Sequence, residues 1–117
     1  MTIGQAISYC YSNYANFNGR GSRPQFWWFY LYNLVIGIVL YLIDRWLFNG
    51  SVILSLLWAL ANIVPLYAAG SRRMHDTGRS GWMQLLVLVP CVGGIIVLIF
   101  WAQPSQPAAN PYGEAAV

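Results

Sequence analysis

Residues 26–43 read FWWFYLYNLVIGIVLYLI, a run of 18 residues that contains no charged side chain. Two further uncharged runs follow, at residues 52–69 and 82–102. About 20 helical residues cross a hydrocarbon core of roughly 30 Å, so each run is long enough to span a membrane. None of them alternates between apolar and polar residues as a barrel strand does. The pattern predicts an all-α integral membrane protein with three transmembrane helices, at residues 24–48, 51–73 and 81–102.

The composition agrees with a membrane environment. Of the 117 residues, 58% are hydrophobic and 8% are charged, whereas about 25% are charged in an average soluble domain. A soluble chain of this length buries too little surface to hide so many apolar side chains. The net charge of +3 comes from arginines in short clusters beside apolar runs, which is typical of topology signals and unlike the basic stripe of a nucleic-acid-binding protein. We therefore expect a single membrane domain, residues 1–117, and no nucleic-acid partner.

The segments at the two ends of the chain are more polar. In residues 1–18 the apolar side chains of Ile3, Ile7, Tyr11 and Tyr14 recur at helical spacing. This stripe predicts a short helix that either lies in the membrane interface or packs against the spanning helices. Residues 103–117 are rich in Pro, Ala and Gln, which predicts a polar, poorly ordered tail.

Arginine positions predict the orientation in the membrane. With three spans, one side receives Arg45 alone, and the other side receives Arg20, Arg23, Arg72, Arg73 and Arg79. Because positively charged loops stay in the cytoplasm, we expect a cytoplasmic N-terminus and a periplasmic C-terminus. An alternative is that Pro90, Gly93 and Gly94 bend the third segment back as a re-entrant hairpin, which would leave both tails in the cytoplasm.

Two similar stretches precede tryptophans: GRGSR at residues 19–23 and GRSG at residues 78–81. Ser22 and Ser80 are suited to cap the helices that follow them. Helix N-termini, flexible glycines and guanidinium groups together form anion sites, and at the membrane surface the nearest anion is a lipid phosphate. The alternative interpretation is that the arginines only fix topology and the glycines only form turns.

The loop at residues 72–82, RRMHDTGRSGW, contains the only histidine, His75, next to Asp76. Neighbouring residues on a helix do not face each other, and no nucleophile accompanies the pair, so we predict no catalytic residue. Asp76 is instead expected to balance Arg20, Arg23 or Arg79. The complete candidate cluster, for anion binding or for structure, comprises Arg20, Ser22, Arg23, Arg72, Arg73, His75, Asp76, Arg79, Ser80, Gly81 and Trp82.

Four polar residues lie inside the apolar runs, namely Asn33, Ser55, Asn62 and Gln84. Such side chains usually form hydrogen bonds between helices, and none has the charge of an ion pathway. One histidine and two distant cysteines match no metal-binding spacing. We therefore expect no metal and no cofactor.

Four motifs carry a resemblance to a known family: FNGRGSRPQFW at 17–27, RRMHDTGRSGW at 72–82, PCVG at 90–93 and NPYG at 110–113. Together the chain from about Ile7 to Gly113 resembles the bacterial "domain of unknown function 805" family of small inner-membrane proteins. The resemblance implies a bacterial inner-membrane location and three helices, but no activity. Pro24 and Gln25 depart from the family pattern, in which we expect a non-proline and a glutamate that is a possible partner for the arginines. Matches at Asn110 and Gly113 suggest that the tail folds back onto the protein.

The leading functional hypothesis is a non-enzymatic module that binds anionic lipid headgroups, or a partner membrane protein, through a cytoplasmic Arg/His/Asp cluster. One alternative is a homo-oligomeric pore or small-solute transporter, because three helices alone enclose little space. Another is an enzyme that acts on lipid headgroups through His75 and Asp76.

Overall fold

The computed structural model describes residues 2–113, and this part of the chain is helical without any β-strand. The helices are α1 (Ile3–Ser12), α2 (Arg23–Leu47), α3 (Ile53–Asp76), a 3-10 helix (Gly81–Leu88) and α4 (Gly93–Ala102). Helices α2 and α3 are each long and apolar enough to cross a membrane. The predicted all-helical class is confirmed, and the first two predicted spans are present as helices of spanning length.

Helices α2 and α3 form an antiparallel hairpin whose ends are capped by side chains. Ser22 accepts a hydrogen bond from the Gln25 amide at the start of α2, as its position before Pro24 predicts. Val52, at the start of α3, offers no capping side chain. The buried carboxylate of Asp44 on α2 replaces it, because it accepts from the amides of Leu54 and Ser55 at 3.2 and 2.9 Å. The cap thus also ties the two helices together.

The third apolar segment is not the single helix expected at residues 81–102. A 3-10 helix, Gly81–Leu88, is followed by a turn and then by α4, Gly93–Ala102, and Cys91 in the turn has a positive φ of 68°. At about 2.0 Å per residue in a 3-10 helix and about 1.5 Å in an α-helix, each arm is roughly 15 Å long. That length is about half of the hydrocarbon core.

Both arms of this segment return to the same part of α3. Gln84 near the start donates to the Tyr67 carbonyl at 3.1 Å, and Trp101 at the end donates to the Gly70 carbonyl at 3.2 Å. The segment is therefore a hairpin, the alternative that its Pro and Gly residues allow. Gly93 is essential to it, because a Cβ at this position would lie 1.6 Å from the Leu86 carbonyl oxygen of the other arm.

The hairpin changes where the tail lies. Residues 103–113 begin at the same end of the bundle as Gly19–Ser22, since Arg73 binds both the Gly21 carbonyl and the Trp101 carbonyl, at 3.1 and 2.7 Å. The expected separation of the two tails by a third full crossing is not what the structure contains. The length of an uncharged run predicts a full crossing, but it takes no account of Pro90, which lacks the backbone amide needed to continue a helix.

Helix α1 packs against the bundle, one of the two predicted arrangements, although Ile3 and Tyr14 of the predicted stripe are exposed. Ala6 and Cys10 are fully buried. The Tyr11 hydroxyl donates to Asn62 of α3 at 2.5 Å. Helix α1 ends at Ser12, whereas the sequence suggested a segment up to residue 18. Its polar C-terminal end thereby comes to lie over the last turns of α3.

Candidate functional site at the arginine end

Five of the six arginines gather at one end of the α2–α3 hairpin, which we call the arginine end: Arg20, Arg23, Arg72, Arg73 and Arg79. Three of them, Arg20, Arg72 and Arg73, are buried. Arg45 lies at the opposite end of α2, beside Tyr41. The arginine end therefore consists of a buried group, Arg20, Arg72 and Arg73, and a surface group, Arg23 and Arg79.

The buried group is centred on Asp76. Its carboxylate accepts from Arg20 Nε at 2.9 Å and from Arg73 Nη1 at 2.6 Å, and these three side chains are at most 1% exposed. Ser105 of the tail also donates to Oδ2. Each ion loses its hydration here, so the pairing and the extra hydrogen bonds must offset that loss. We call Arg20, Arg73 and Asp76 the Asp76 cluster.

The structure decides among the expected partners of Asp76. Arg20 is confirmed, whereas Arg23 and Arg79 form no ion pair with it among residues 2–113. Sequence reasoning did not name Arg73, although its i, i+3 spacing from Asp76 on one helix could have identified it.

The Asp76 cluster also holds the tail. Arg20 donates to the carbonyls of Gln106 and Ala108 at 2.5 and 2.8 Å, and Arg73 donates to the carbonyl of Gln103. Residues 103–113 therefore form a bound strap, in contrast to the expected poorly ordered tail. The last four residues of the predicted tail, 114–117, lie outside the described part of the chain.

Asn110 completes the attachment of the strap, as the NPYG motif suggested. Its side-chain amide donates to the His75 carbonyl at 2.9 Å. Its backbone amide and that of Gly113 bond each other's carbonyls at 2.9 and 3.0 Å, which forms a tight turn at the end of the described chain.

Arg72 is fully buried without a carboxylate partner in the described residues. It donates to the carbonyls of Asn13 and Asn16 at 3.2 and 2.7 Å, just beyond the C-terminus of α1. The negative end of the helix dipole and these carbonyls stabilise its charge. The Cys10 thiol lies 3.8 Å from the same guanidinium. Burial nevertheless raises the pKa of Cys10 to about 11, and the charge of Arg72 opposes this only in part.

His75 does not pair with Asp76. Its Nδ1 lies 2.9 Å from the Gly19 carbonyl oxygen, so this nitrogen carries the proton and Nε2 is left as an acceptor in the neutral ring. The ring stacks on Tyr112 at 4.1 Å, with an angle of 1° between the ring planes. Since the Asp76 carboxylate is occupied by the two arginines, the His75–Asp76 acid–base pair is not formed in this structure.

A cavity of about 720 Å³ lies beside His75, between α3, the 3-10 helix and Tyr112. We call it the His75 cavity; its walls include Phe17, Asn18, Tyr67, Ser71, His75, Ser80, Gly81, Trp82, Gln84, Leu85 and Tyr112. Ser80, Gly81 and Trp82, the last three residues of the motif at 72–82, thus line one wall. Ser80 also caps the 3-10 helix by accepting from the Trp82 amide at 3.3 Å.

The surface group consists of Arg23 and Arg79. Arg23 is exposed at the first turn of α2, where it lines an open groove of about 450 Å³ with Trp27, Trp28 and Leu31. Arg79 is half-buried, and its guanidinium carbon lies 4.5 Å from the centre of the Phe100 ring. Neither forms an ion pair within residues 2–113. These two arginines therefore keep charge and donors available for another molecule.

Three of the four polar residues of the apolar segments connect helices. Ser55 of α3 donates to the Asp44 carboxylate of α2 at 3.0 Å. Asn62 joins α3 to Tyr11 of α1, and Gln84 joins the 3-10 helix to α3. The Asn33 side chain instead bonds the Phe29 carbonyl of its own helix at 3.0 Å. Within the described residues, no group of three or more His, Cys, Asp or Glu side chains is arranged to hold a metal ion.

One family model and two inner membrane proteins match most of the chain. Residues 14–114 match the family model described as "Protein of unknown function (DUF805)". The chain is 37% identical over 105 residues to the inner membrane protein YhaH of Escherichia coli K12, covering 86% of this chain and 87% of that protein. It is 38% identical over 102 residues to the inner membrane protein YhaI of the same organism, covering 87% of this chain and 86% of that protein. No solved structure matches the chain.

Proposed function

Since the chain belongs to the DUF805 family of proteins of unknown function and its relatives are inner membrane proteins, we propose that it is a non-enzymatic membrane module that binds anionic lipid headgroups. The binding surface is formed by Arg23 and Arg79. The observation that carries the proposal is the division of the arginine end into buried arginines, which use most of their donors internally, and these two arginines, which form no ion pair among the described residues.

The proposed topology follows from the same charges. Helices α2 and α3 cross the membrane, and the half-length hairpin enters and leaves on the arginine side. The positive-inside rule favours a cytoplasmic location for this side. The N-terminal helix and residues 103–113 are then both cytoplasmic, and the inner leaflet, which carries anionic lipid, faces Arg23 and Arg79.

The setting of Arg23 favours a lipid phosphate. Its position in the first turn of α2 places it near the positive end of the helix dipole. The groove below it, lined by Trp27, Trp28 and Leu31, is suited to the first part of an acyl chain. A basic side chain near an anionic membrane surface contributes about 1 kcal/mol, so two together raise the affinity roughly 30-fold.

The experiment compares R23Q, R79Q and R23Q/R79Q with R45Q, which removes one charge at the opposite end of α2 and so matches each single variant. Native mass spectrometry and thermal unfolding of the purified protein are measured with added phosphatidylglycerol and with added phosphatidylcholine. We expect phosphatidylglycerol to bind more strongly and to stabilise the wild type and R45Q, but not R23Q/R79Q. Equal binding of both lipids by the wild type, or an unchanged preference in R23Q/R79Q, would refute the proposal.

A homo-oligomeric pore is a second candidate, because the hairpin turn favours assembly. Leu88 and Val92 flank this turn and are 77% and 55% exposed. Irregular backbone at membrane depth is tolerated when protein or a water-filled cavity covers it. A second copy that covers the turn would bring two exposed Cys91 thiols close together. We expect a C10S variant in lipid nanodiscs to form covalent dimers through Cys91 with a short bis-maleimide, whereas monomers throughout would refute this candidate.

A further inference from the structure

We propose that the strap, residues 103–113, occupies an anion site built from Arg20 and Arg73, and that a phosphate group binds these arginines when the strap opens. The strap is then an internal competitor of the phosphate, which is carried either by a lipid headgroup or by a soluble monoester. This site is separate from the surface of Arg23 and Arg79 and does not rest on the function proposed above.

The strap offers oxygen atoms to the two arginines in the way that an anion does. The carbonyl oxygens of Ala108 and Gln106 lie 2.8 and 2.5 Å from Nη1 and Nη2 of Arg20. The Gln103 carbonyl accepts from Nη2 of Arg73. A phosphate carries several strong acceptor oxygens and suits the planar fork of a guanidinium, so it can take the place of these carbonyls.

Charge favours a phosphate over the strap. Among the described residues, Arg20 and Arg73 share one carboxylate, that of Asp76, so the Asp76 cluster keeps a positive charge once the strap leaves. Backbone carbonyls satisfy donors but do not balance this charge. Hydrogen bonds from an arginine to an anion are roughly twice as strong as those between neutral groups.

The Asp76 carboxylate does not block the site. It binds Nε of Arg20 and Nη1 of Arg73, whereas the strap carbonyls bind the other terminal nitrogens. Because one carboxylate fixes both guanidinium groups, they lie side by side. Opening the strap therefore exposes a pair of oriented donors, and these donors need no rearrangement to receive a ligand.

The strap itself is attached in a way that favours opening. None of residues 103–113 is buried, and most of them are exposed, although the side chains of the Asp76 cluster beneath are at most 1% exposed. Its remaining attachments are mainly hydrogen bonds of Ser105, Gln106 and Asn110 and the stacking of Tyr112. Segments with few buried apolar contacts open at a small part of the free energy of global unfolding.

The first experiment measures release of the strap by proteinase K digestion of the full-length protein in nanodiscs. Glycerol 3-phosphate is compared with sodium chloride at equal ionic strength, and phosphatidic acid with phosphatidylcholine. At ten times the Kd of the open form, the released population rises about tenfold, and the cleavage rate should rise with it. Release by glycerol 3-phosphate shows that the phosphate group suffices, and release by phosphatidic acid alone identifies the lipid headgroup. Release by neither overturns the proposal.

The second experiment loosens the strap. N110A removes the hydrogen bond to the His75 carbonyl. Q103A is a matched control, because the Gln103 side chain bonds only the Ile99 carbonyl of α4, from which the strap itself extends. Loss of one hydrogen bond should raise the open fraction about fivefold. The apparent Kd of the phosphate probe that released the strap, measured by calorimetry, should fall by the same factor in N110A and stay unchanged in Q103A. Equal Kd values in the two variants would refute competition with the strap.

The third experiment locates the site. R20Q should bind the phosphate probe at least about tenfold more weakly than the wild type, even if its strap is already free. An unchanged Kd in R20Q would refute the site. R23Q/R79Q is expected to lose the preference for phosphatidylglycerol but to keep the release of its strap by the phosphate probe. If R23Q/R79Q no longer releases its strap, the phosphate acts through the surface arginines, and this proposal fails while the proposed function stands.

Discussion

Replacing Asp76 by Asn tests the central feature of the arginine end, a single buried carboxylate between two buried guanidiniums. The Asp76 carboxylate is fully buried and accepts from Arg20 at 2.9 Å and from Arg73 at 2.6 Å. An asparagine has nearly the same shape, but one of its two terminal atoms is a donor. At least one arginine therefore faces an N–H group instead of an oxygen, and both lose their counter-charge.

The expected loss is large. Removing one partner of a buried ion pair costs about 3–5 kcal/mol, because the remaining charge is left without compensation. Since total stabilities are about 5–15 kcal/mol, D76N is expected to lose roughly a fifth or more of the free energy of unfolding. For a chain of this length the melting temperature falls by about 10 °C or more. The strap at residues 103–113 should also detach, because Arg20 and Arg73 hold its carbonyls.

The assay combines thermal unfolding in detergent, followed by tryptophan fluorescence, with proteinase K digestion of the strap. R20Q and the double variant R20Q/D76N complete a thermodynamic cycle. Because the two groups contact each other, the double variant should be less destabilised than the sum of the single variants. A D76N protein that melts within about 2 °C of the wild type, with a protease-resistant strap, would show that the Asp76 cluster does not hold the fold together.

Two further predictions concern the hairpin and α1. G93A should be destabilised by about 1–3 kcal/mol or more, because its Cβ would lie 1.6 Å from the Leu86 carbonyl oxygen. G94A is a matched control, because no atom lies within 4 Å of the added Cβ. Equal melting temperatures for the two variants would refute the close approach of the arms. In a C91S background, alkylation of Cys10 should rise with a midpoint near pH 11 instead of 9.0, and at pH 8 it should be about 100-fold slower than in the unfolded chain. Because the pKa is raised, the Cys10 thiol stabilises the folded state below about pH 9, and this contribution to the free energy of unfolding is lost as the pH rises towards 11. Rapid alkylation of the folded protein at pH 8 would contradict the burial of Cys10.

Much of the candidate site was recognisable in the sequence, because the relevant features are local. In the stretches GRGSR at 19–23 and GRSG at 78–81, Ser22 and Ser80 cap the helices that follow them, as expected. The partnership of Asp76 with Arg20 was among the three alternatives. The side chains of His75 and Asp76 do not contact each other, as their adjacent positions on one helix predict.

Other parts of the site could not be found from spacing. Arg72 donates to the carbonyls of Asn13 and Asn16 only because α1 packs over the end of α3. Spacing alone therefore presents the arginines as topology signals or anion ligands. In the structure, most of the N–H donors of Arg20, Arg72 and Arg73 bind backbone carbonyls of this same chain. Carbonyl partners leave no trace in sequence, because every residue carries one.

The sequence by itself determined the membrane character, the two spanning helices and the concentration of arginine at one end, because these follow from the length of uncharged runs and the positions of charges. Tertiary structure alone decided the path of the third apolar segment. Its 21 uncharged residues at 82–102 are long enough to cross a bilayer, but Pro90 and the contact of Gly93 with Leu86 fold it into two short arms against α3. That return brings the strap to Arg20 and Arg73, and so converts two of the five clustered arginines from surface charges into buried supports of the fold.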